Sequence, residues 1–256
     1  MSSSPLYPAT EARDTDRGVP QADGAAARRS GASGVAAVSR ALLILGAFRP
    51  GDAALPLRVL AARTGLYKST ILRLLASLEK SGAVLREADA SWSPGPVLFH
   101  WGTLYVRAQS LDARAQTVVD ALAEETWAIT AFWARLDAER RVCVLRALPP
   151  RAPRLALAAG DVMPMGNQAT ARVFAAWERG GPVRERRPEV VTASGTRDGE
   201  PTSVAAPVFG AGGRFVGALT LSGAGERFVT DLDRARGLLI EAAAVLTRSQ
   251  RGEAAG

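Results

Sequence analysis

The segment Leu55–Leu85, LPLRVLAARTGLYKSTILRLLASLEKSGAVL, constrains the fold of this chain more than any other stretch. It predicts two short helices joined by a glycine turn and followed by a strand, the outline of a helix-turn-helix. Pro56 suits the first position of a helix ending near Arg63, because its φ is preset and its missing N–H has no partner there anyway. Leu57, Leu60 and Ala61 then share one apolar stripe. Gly65 supplies the tight turn. Stepping about 100° per residue from Lys68 gathers Ile71, Leu74, Leu75 and Leu78 into one arc and leaves Ser69, Thr70, Arg73, Ser77 and Lys80 around the other side. Gly82 ends this helix, and Ala83–Arg86 with Trp92–Pro94 predicts a small hairpin, a wing.

The outward face of the second helix carries hydroxyls and cations. Such groups donate to phosphate oxygens, and the planar guanidinium of Arg73 can make two parallel hydrogen bonds to the O6 and N7 of a guanine. An amphipathic helical hairpin with a polar outer face also occurs in proteins that touch no nucleic acid, so periodicity alone leaves both readings open. Charge favours the first. From Val35 to Gly95 eight basic residues (Arg40, Arg49, Arg58, Arg63, Lys68, Arg73, Lys80 and Arg86) stand against four acidic ones (Asp52, Glu79, Glu87 and Asp89). A compact basic module is what a polyanionic partner requires.

Two separated stretches resemble one known family in the right order. SGVAAVSRALLILGAF at Ser33–Phe48 with LAARTGLYKSTILRLLASLEKSGAVLRE at Leu60–Glu87 resembles the winged helix-turn-helix of the IclR family of bacterial transcriptional regulators. AAPVFGAGGRFVGALTLSGAGERF at Ala205–Phe228 resembles the last sheet hairpin of that family's effector domain. The resemblance implies an α+β chain: a winged helix-turn-helix over residues 34–95, a linker helix over 96–110, and a GAF-like effector-binding domain over 111–250. It also implies DNA contact by Lys68, Ser69, Thr70 and Arg73, which match the family pattern, with Arg73 on a base and the other three on phosphates. Ser77 lies on the same outward side. Arg40, in the family-like VSRAL, is either a phosphate contact or a solvated arginine. Tyr67 stands where members usually have proline, and Leu72 where they often have a polar residue.

The remaining inventory narrows the function classes. A length of 256 residues and 47% hydrophobic content suit two globular domains. The net charge of +7 suits an anionic partner, while the excess of arginine over lysine, 30 to 2, reads as a codon-composition effect. One cysteine, Cys143, forms no internal disulfide, and no Cys/His cluster offers a structural metal site. The sole histidine, His100, sits in the apolar helical stretch VLFHWGTLYV, where a packed or partly exposed role outweighs a catalytic one. No GxSxG, Walker, HExxH or Rossmann pattern is present, so no catalytic residue is assigned and neither cofactor nor metal is expected. Apolar runs such as Ala41–Phe48 are too short to span a bilayer and the N-terminus has no signal core, so the expectation is a cytoplasmic protein without a membrane partner. Residues 1–33, poor in large apolar side chains, read as a disordered arm, and 251–256 as a disordered tail.

Beyond the wing, Val97, Trp101, Leu104, Tyr105 and Ala108 recur at helical spacing and predict an amphipathic linker helix with an aromatic stripe. That stripe packs within the monomer or against a second copy. The resemblance favours a homodimer, with tetramers left open, and a two-fold protein would read a pseudo-palindromic double-stranded operator. A helix over Leu111–Thr126, apolar runs at Ala128–Leu136 and Val142–Leu145 around a turn at Asp137–Arg140, a glycine loop at Gly160–Gly166 and a helix over Gln168–Trp177 follow. The last hairpin pairs Val204–Phe209 with Phe215–Leu221 across Gly210–Gly213, residues tolerant of positive φ. Thr230, with Asp233 three positions on, is expected to cap a final helix.

The resemblance implies a pocket for a small organic effector, enclosed by the sheet and the loop and helix ahead of the last hairpin. Asn167 and Gln168 would hydrogen-bond an acid or carbonyl there. Trp133, Met163 and Met165 would line an apolar wall, or else simply fill the core. The segment ERGGPVRERRPE before Val190 is shorter than its counterpart in the family, so the effector domain reads as shortened. Its arginines Arg179, Arg184, Arg186 and Arg187 read as a solvated loop rather than an anion site. The implied function is a transcriptional regulator whose operator binding an effector modulates. Repression is the default sign, because a bound dimer blocks polymerase, and activation stays open. The rivals are an effector-independent regulator and a ligand-binding or protein-interaction module without DNA affinity.

Overall fold

The structure is a computed structural model that describes residues 34–149, 157–166, 168–178, 190–193, 202–223 and 226–250. The predicted arm, the tail and the short arginine-rich segment lie outside these residues. Contacts divide the chain into two units, with the boundary between Leu104 and Tyr105.

The first unit contains α1 (Ala36–Leu45), α2 (Leu57–Thr64), α3 (Lys68–Lys80), the hairpin β1 (Val84–Arg86) and β2 (Trp92–Pro94), and the start of α4 (Pro96–Ala108). One residue or more from nearly every element meets in its core: Ile44, Leu60, Ile71, Leu75, Val84 and Trp92 are buried together. Full burial of such side chains contributes about 1.5–3 kcal/mol each before the entropy of ordering is charged against it. Gly65 at the end of α2 has φ 67°, a left-handed conformation that closes the turn into α3. Pro56 stands one position earlier than the sequence suggests. Its ψ of 152° is extended, so it precedes α2 as the N-cap rather than opening the helix.

An antiparallel six-stranded sheet organises the second unit, with strand order β5-β4-β3-β8-β7-β6. Its strands are β3 (Ile129–Arg135), β4 (Arg140–Ala147), β5 (Val162–Pro164), β6 (Val191–Ala193), β7 (Thr202–Phe209) and β8 (Phe215–Gly223). Helices α5 (Ala113–Thr126) and α8 (Leu232–Gln250) contribute to the core on one face, around Phe132, Leu219, Leu221 and Leu239. On the other face α6 (Ala169–Glu178) contributes Val173, Phe174 and Trp177, which pack with Ala131, Trp133 and Cys143. Double coverage explains why six of the seven residues of β3 are buried instead of alternating with solvent.

Several boundaries differ from expectation for local physical reasons. Helix α5 starts at Ala113, since the Asp112 side chain caps it by accepting from the Arg114 N–H, and Leu111 is buried ahead of the helix. The glycine loop contains β5, which pairs with Val142, Arg141 and Arg140 of β4. Gln168 precedes α6, its carbonyl accepting from the Arg172 N–H. In the last hairpin only Gly212 and Gly213 take positive φ, while Gly210 is extended. Thr230 stands two positions ahead of the final helix, α8, which opens at Leu232. It ends a separate short helix, α7 (Glu226–Thr230), which lets Phe228 bury against Gly223, and Asp231 separates it from α8.

Candidate nucleic-acid interface and ligand cavity

Helix α3 presents its polar side outward because its apolar arc is consumed by the core: Ile71 and Leu75 are fully buried, Leu74 and Leu78 partly. Lys68, Ser69, Arg73 and Ser77 are exposed and Thr70 is half-buried. Neither Lys68 nor Arg73 makes a side-chain ion pair among the described residues, so both ammonium and guanidinium face solvent. Ser77 donates to the Arg73 carbonyl at 3.4 Å, one turn back along its own helix. Tyr67 is the N-cap, without a side-chain hydrogen bond to the first turn, and no acidic residue stands in that turn. The leading N–H groups of α3 therefore face outward with a positive dipole end, a setting that suits phosphate oxygens.

The neighbouring charges are sorted differently from what a simple count suggests. Arg63 pairs with Asp52 through both carboxylate oxygens and donates to the Ala47 carbonyl at 2.8 Å, so it ties the end of α1 to α2 and offers nothing to a ligand. The Arg63 guanidinium holds the Asp52 carboxyl below the usual carboxylate range, against an opposing push from burial. In the wing Arg86 lies over the Trp92 ring at 5.8 Å, and the acids Glu87 and Asp89 are bound to Ser93 and Ser91. Arg40 is exposed on α1. The cationic surface is thus concentrated on α3 and not on the wing, whose turn is acidic.

In the second unit, Trp133, Met163 and Gln168 come together around a residue the sequence reading did not single out. Arg141 of β4 is only 2% exposed, lies 4.7 Å from the Trp133 ring and donates to Gln168 Oε1 at 2.6 Å. Met163 is its partner on β5, and Met163 and Met165 pack against the core containing Trp133. The indole N–H of Trp133 donates to Thr220 Oγ1 at 3.1 Å, and that hydroxyl donates onward to the Ala131 carbonyl. Asn167 lies outside the described residues.

A cavity of about 610 Å³ lies elsewhere in this unit, and none of those side chains lines it. Its walls come from the end of α4, the end of β3, α6 and the β7–β8 turn. Phe174 and Phe215 meet edge to face at 5.3 Å, and Trp177 and Phe209 at 5.0 Å. Its polar groups already engage one another. Arg135 pairs with Glu178, donates to the Asp137 and Ala138 carbonyls and lies 5.3 Å from the Phe174 ring, while Arg214 donates to Gln109 at 3.1 Å. Burial pushes the Tyr105 hydroxyl up. The one hint in the sequence was a charged residue, Arg135, inside an otherwise apolar run. Cys143 is buried, and His100 is exposed on α4. Among the described residues no group of three or more His, Cys, Asp or Glu side chains is placed to hold a metal, and no helix is long and apolar enough to cross a membrane.

Comparison with known proteins agrees with this geometry. The family model of the IclR helix-turn-helix domain matches residues 37–88. No curated protein sequence matches the chain. Among solved structures, a protein assigned as an ICLR transcriptional regulator from Silicibacter sp. is similar at 22% identity and a TM-score of 0.68, over 84% of this chain and 96% of its own. An IclR-type transcriptional regulator from Alicyclobacillus acidocaldarius matches at 23% identity and 0.64, over 85% and 99%. An IclR homologue from Microbacterium hydrocarbonoxydans, solved with 4-hydroxybenzoate, matches at 16% identity and 0.66, over 84% and 99%. Residues 37–88 of this chain therefore match the IclR helix-turn-helix domain, and the chain has the fold of the solved IclR-type regulators.

Proposed function

We propose that this protein is a cytoplasmic transcriptional repressor that binds a pseudo-palindromic operator as a homodimer and is released by a small organic effector. The observation that carries the reading is the outward face of α3, where Lys68, Ser69 and Arg73 are exposed beside an uncapped helix N-terminus. Arg73 reads a guanine in the major groove, Lys68, Ser69 and Thr70 hold phosphates, and Ser77 and Arg40 flank this contact. The effector site is the side of the sheet that carries Trp133, Met163, Met165 and Gln168, and Asn167, outside the described residues, is kept as a ligand-binding residue from the sequence alone. Arg141 supports that choice, because a buried guanidinium in a medium of low dielectric attracts a carboxylate strongly. The relative bound to 4-hydroxybenzoate, itself an aromatic carboxylate, supports the same ligand class. Release requires that the effector bind the DNA-incompetent arrangement more tightly than the competent one.

Fluorescence anisotropy tests the reading. The purified protein is titrated against the intergenic DNA beside its own gene, then against selected genomic fragments, with random DNA as competitor and a salt series. Competitor-resistant binding that weakens steeply with salt is the expected result. Failure to prefer any fragment would leave a ligand-binding module without an operator. Loss of binding on addition of aromatic carboxylates is expected for the regulated form, and indifference to all of them would favour an effector-independent regulator.

A further inference from the structure

The outward face of α3 is not uniformly polar. Leu72 is 47% exposed, and Ala76, one turn on, is exposed as well. The core does not need them, since Ile71, Leu74, Leu75 and Leu78 already fill the inward arc. Ser69, Leu72, Arg73 and Ala76 follow i, i+3, i+4, i+7 spacing and so form one contiguous strip along the helix. An isolated exposed leucine is ordinary. Here it lies beside the guanidinium assigned to base reading, with the small Ala76 leaving room next to it. Against a phosphate a leucine finds no hydrogen bond and no apolar partner. Against base edges in the major groove it finds one apolar feature, the C5-methyl group of thymine.

We propose that Leu72, flanked by Ala76, reads a thymine methyl close to the guanine read by Arg73. The inference rests on the assignment of α3 as the DNA-reading helix and adds a base to what that helix specifies. Arg73 supplies the hydrogen-bonding half of the recognition and Leu72 the apolar half, so the half-site contains both a guanine and a thymine in fixed order.

The test uses the full chain and an operator duplex recovered by fragment selection, with each thymine replaced singly by deoxyuridine, which removes only the methyl. The native protein is expected to lose about fourfold in affinity at one position per half-site, the factor that burying one methyl group provides. Leu72→Ala is expected to bind the thymine and deoxyuridine duplexes alike while still preferring both to random DNA, and Leu72→Met to retain the difference. Native binding that is indifferent to every deoxyuridine, or a Leu72→Ala variant as sensitive as the native protein, would overturn the role of Leu72 and leave the α3 reading intact. A native protein that prefers no fragment to random DNA would overturn both.

Discussion

Arg73 and Lys68 carry the same charge on the same helix, yet the proposed function gives them different tasks. The fork of a guanidinium matches a guanine edge, whereas an ammonium at the helix start acts as a point charge toward phosphate. Arg73→Ala is therefore expected to cost about 1–3 kcal/mol at the operator and to relax base preference, while Lys68→Ala weakens operator and random DNA alike. Anisotropy on both duplexes separates the two, and equal losses for both variants would remove the base-reading role of Arg73. A second residue-scale consequence concerns Cys143. Burial, reinforced by the Asp161 carboxylate, pushes its thiol up to about 12 from an ordinary 9.0. The folded state thus favours the protonated thiol. Stability from this group is fully present below pH 9 and is lost as pH rises toward about 12. Denaturant melts from pH 8 to 11 should show a decline that Cys143→Ala reduces, and native protein at pH 8 should resist iodoacetamide until unfolded.

At the scale of elements, the join between α3, the wing and α4 depends on one close backbone approach. A Cβ on Gly95 would lie 2.1 Å from the Gly82 carbonyl oxygen, where only backbone could yield. Gly95→Ala is expected to destabilise the head by about 2–4 kcal/mol. Gly102→Ala, with nothing within 4 Å of the added carbon, should be neutral or stabilising by up to about 1 kcal/mol. Calorimetry on both variants decides the matter, and an unaffected Gly95→Ala would show that the approach is not required. This part of the fold was legible in the sequence because α3 is long enough to show its period, and Gly65 and Gly82 mark its limits. Strands β5 and β6 and helix α7, of three to five residues, are too short to carry a period and escaped notice. The sites divide in the same way. The face of α3 is local and readable from spacing and charge. The Arg135–Glu178 and Arg214–Gln109 pairs join residues 43 and 105 positions apart, and the Arg141–Gln168 bond spans 27, so only the folded sheet brings them together.

At the scale of the whole molecule, the exposed apolar side chains of α4 and α1 bear on assembly. Phe99 is 80% exposed, and Trp101 and Leu104 are exposed with it on the same helix, as are Val38 and Leu42 on α1. Part of the stripe, Trp101 and Leu104, is therefore open to solvent, and Phe99 adds to it. Large apolar side chains concentrated on two helices of one small domain mark an interaction surface, since a monomer gains nothing by leaving them in water. Under the proposed function the occupant is a second copy, because joining two heads turns the second half-site contact into an intramolecular event. Phe99→Glu combined with Leu42→Glu is expected to yield a monomer by sedimentation equilibrium. With only one head engaged, affinity for a full palindrome should fall by about 100-fold or more, while affinity for an isolated half-site changes little. A double variant that stays dimeric and keeps full operator affinity would place the dimer contact elsewhere, and one that becomes monomeric without losing the palindrome preference would dissociate operator reading from two-fold symmetry.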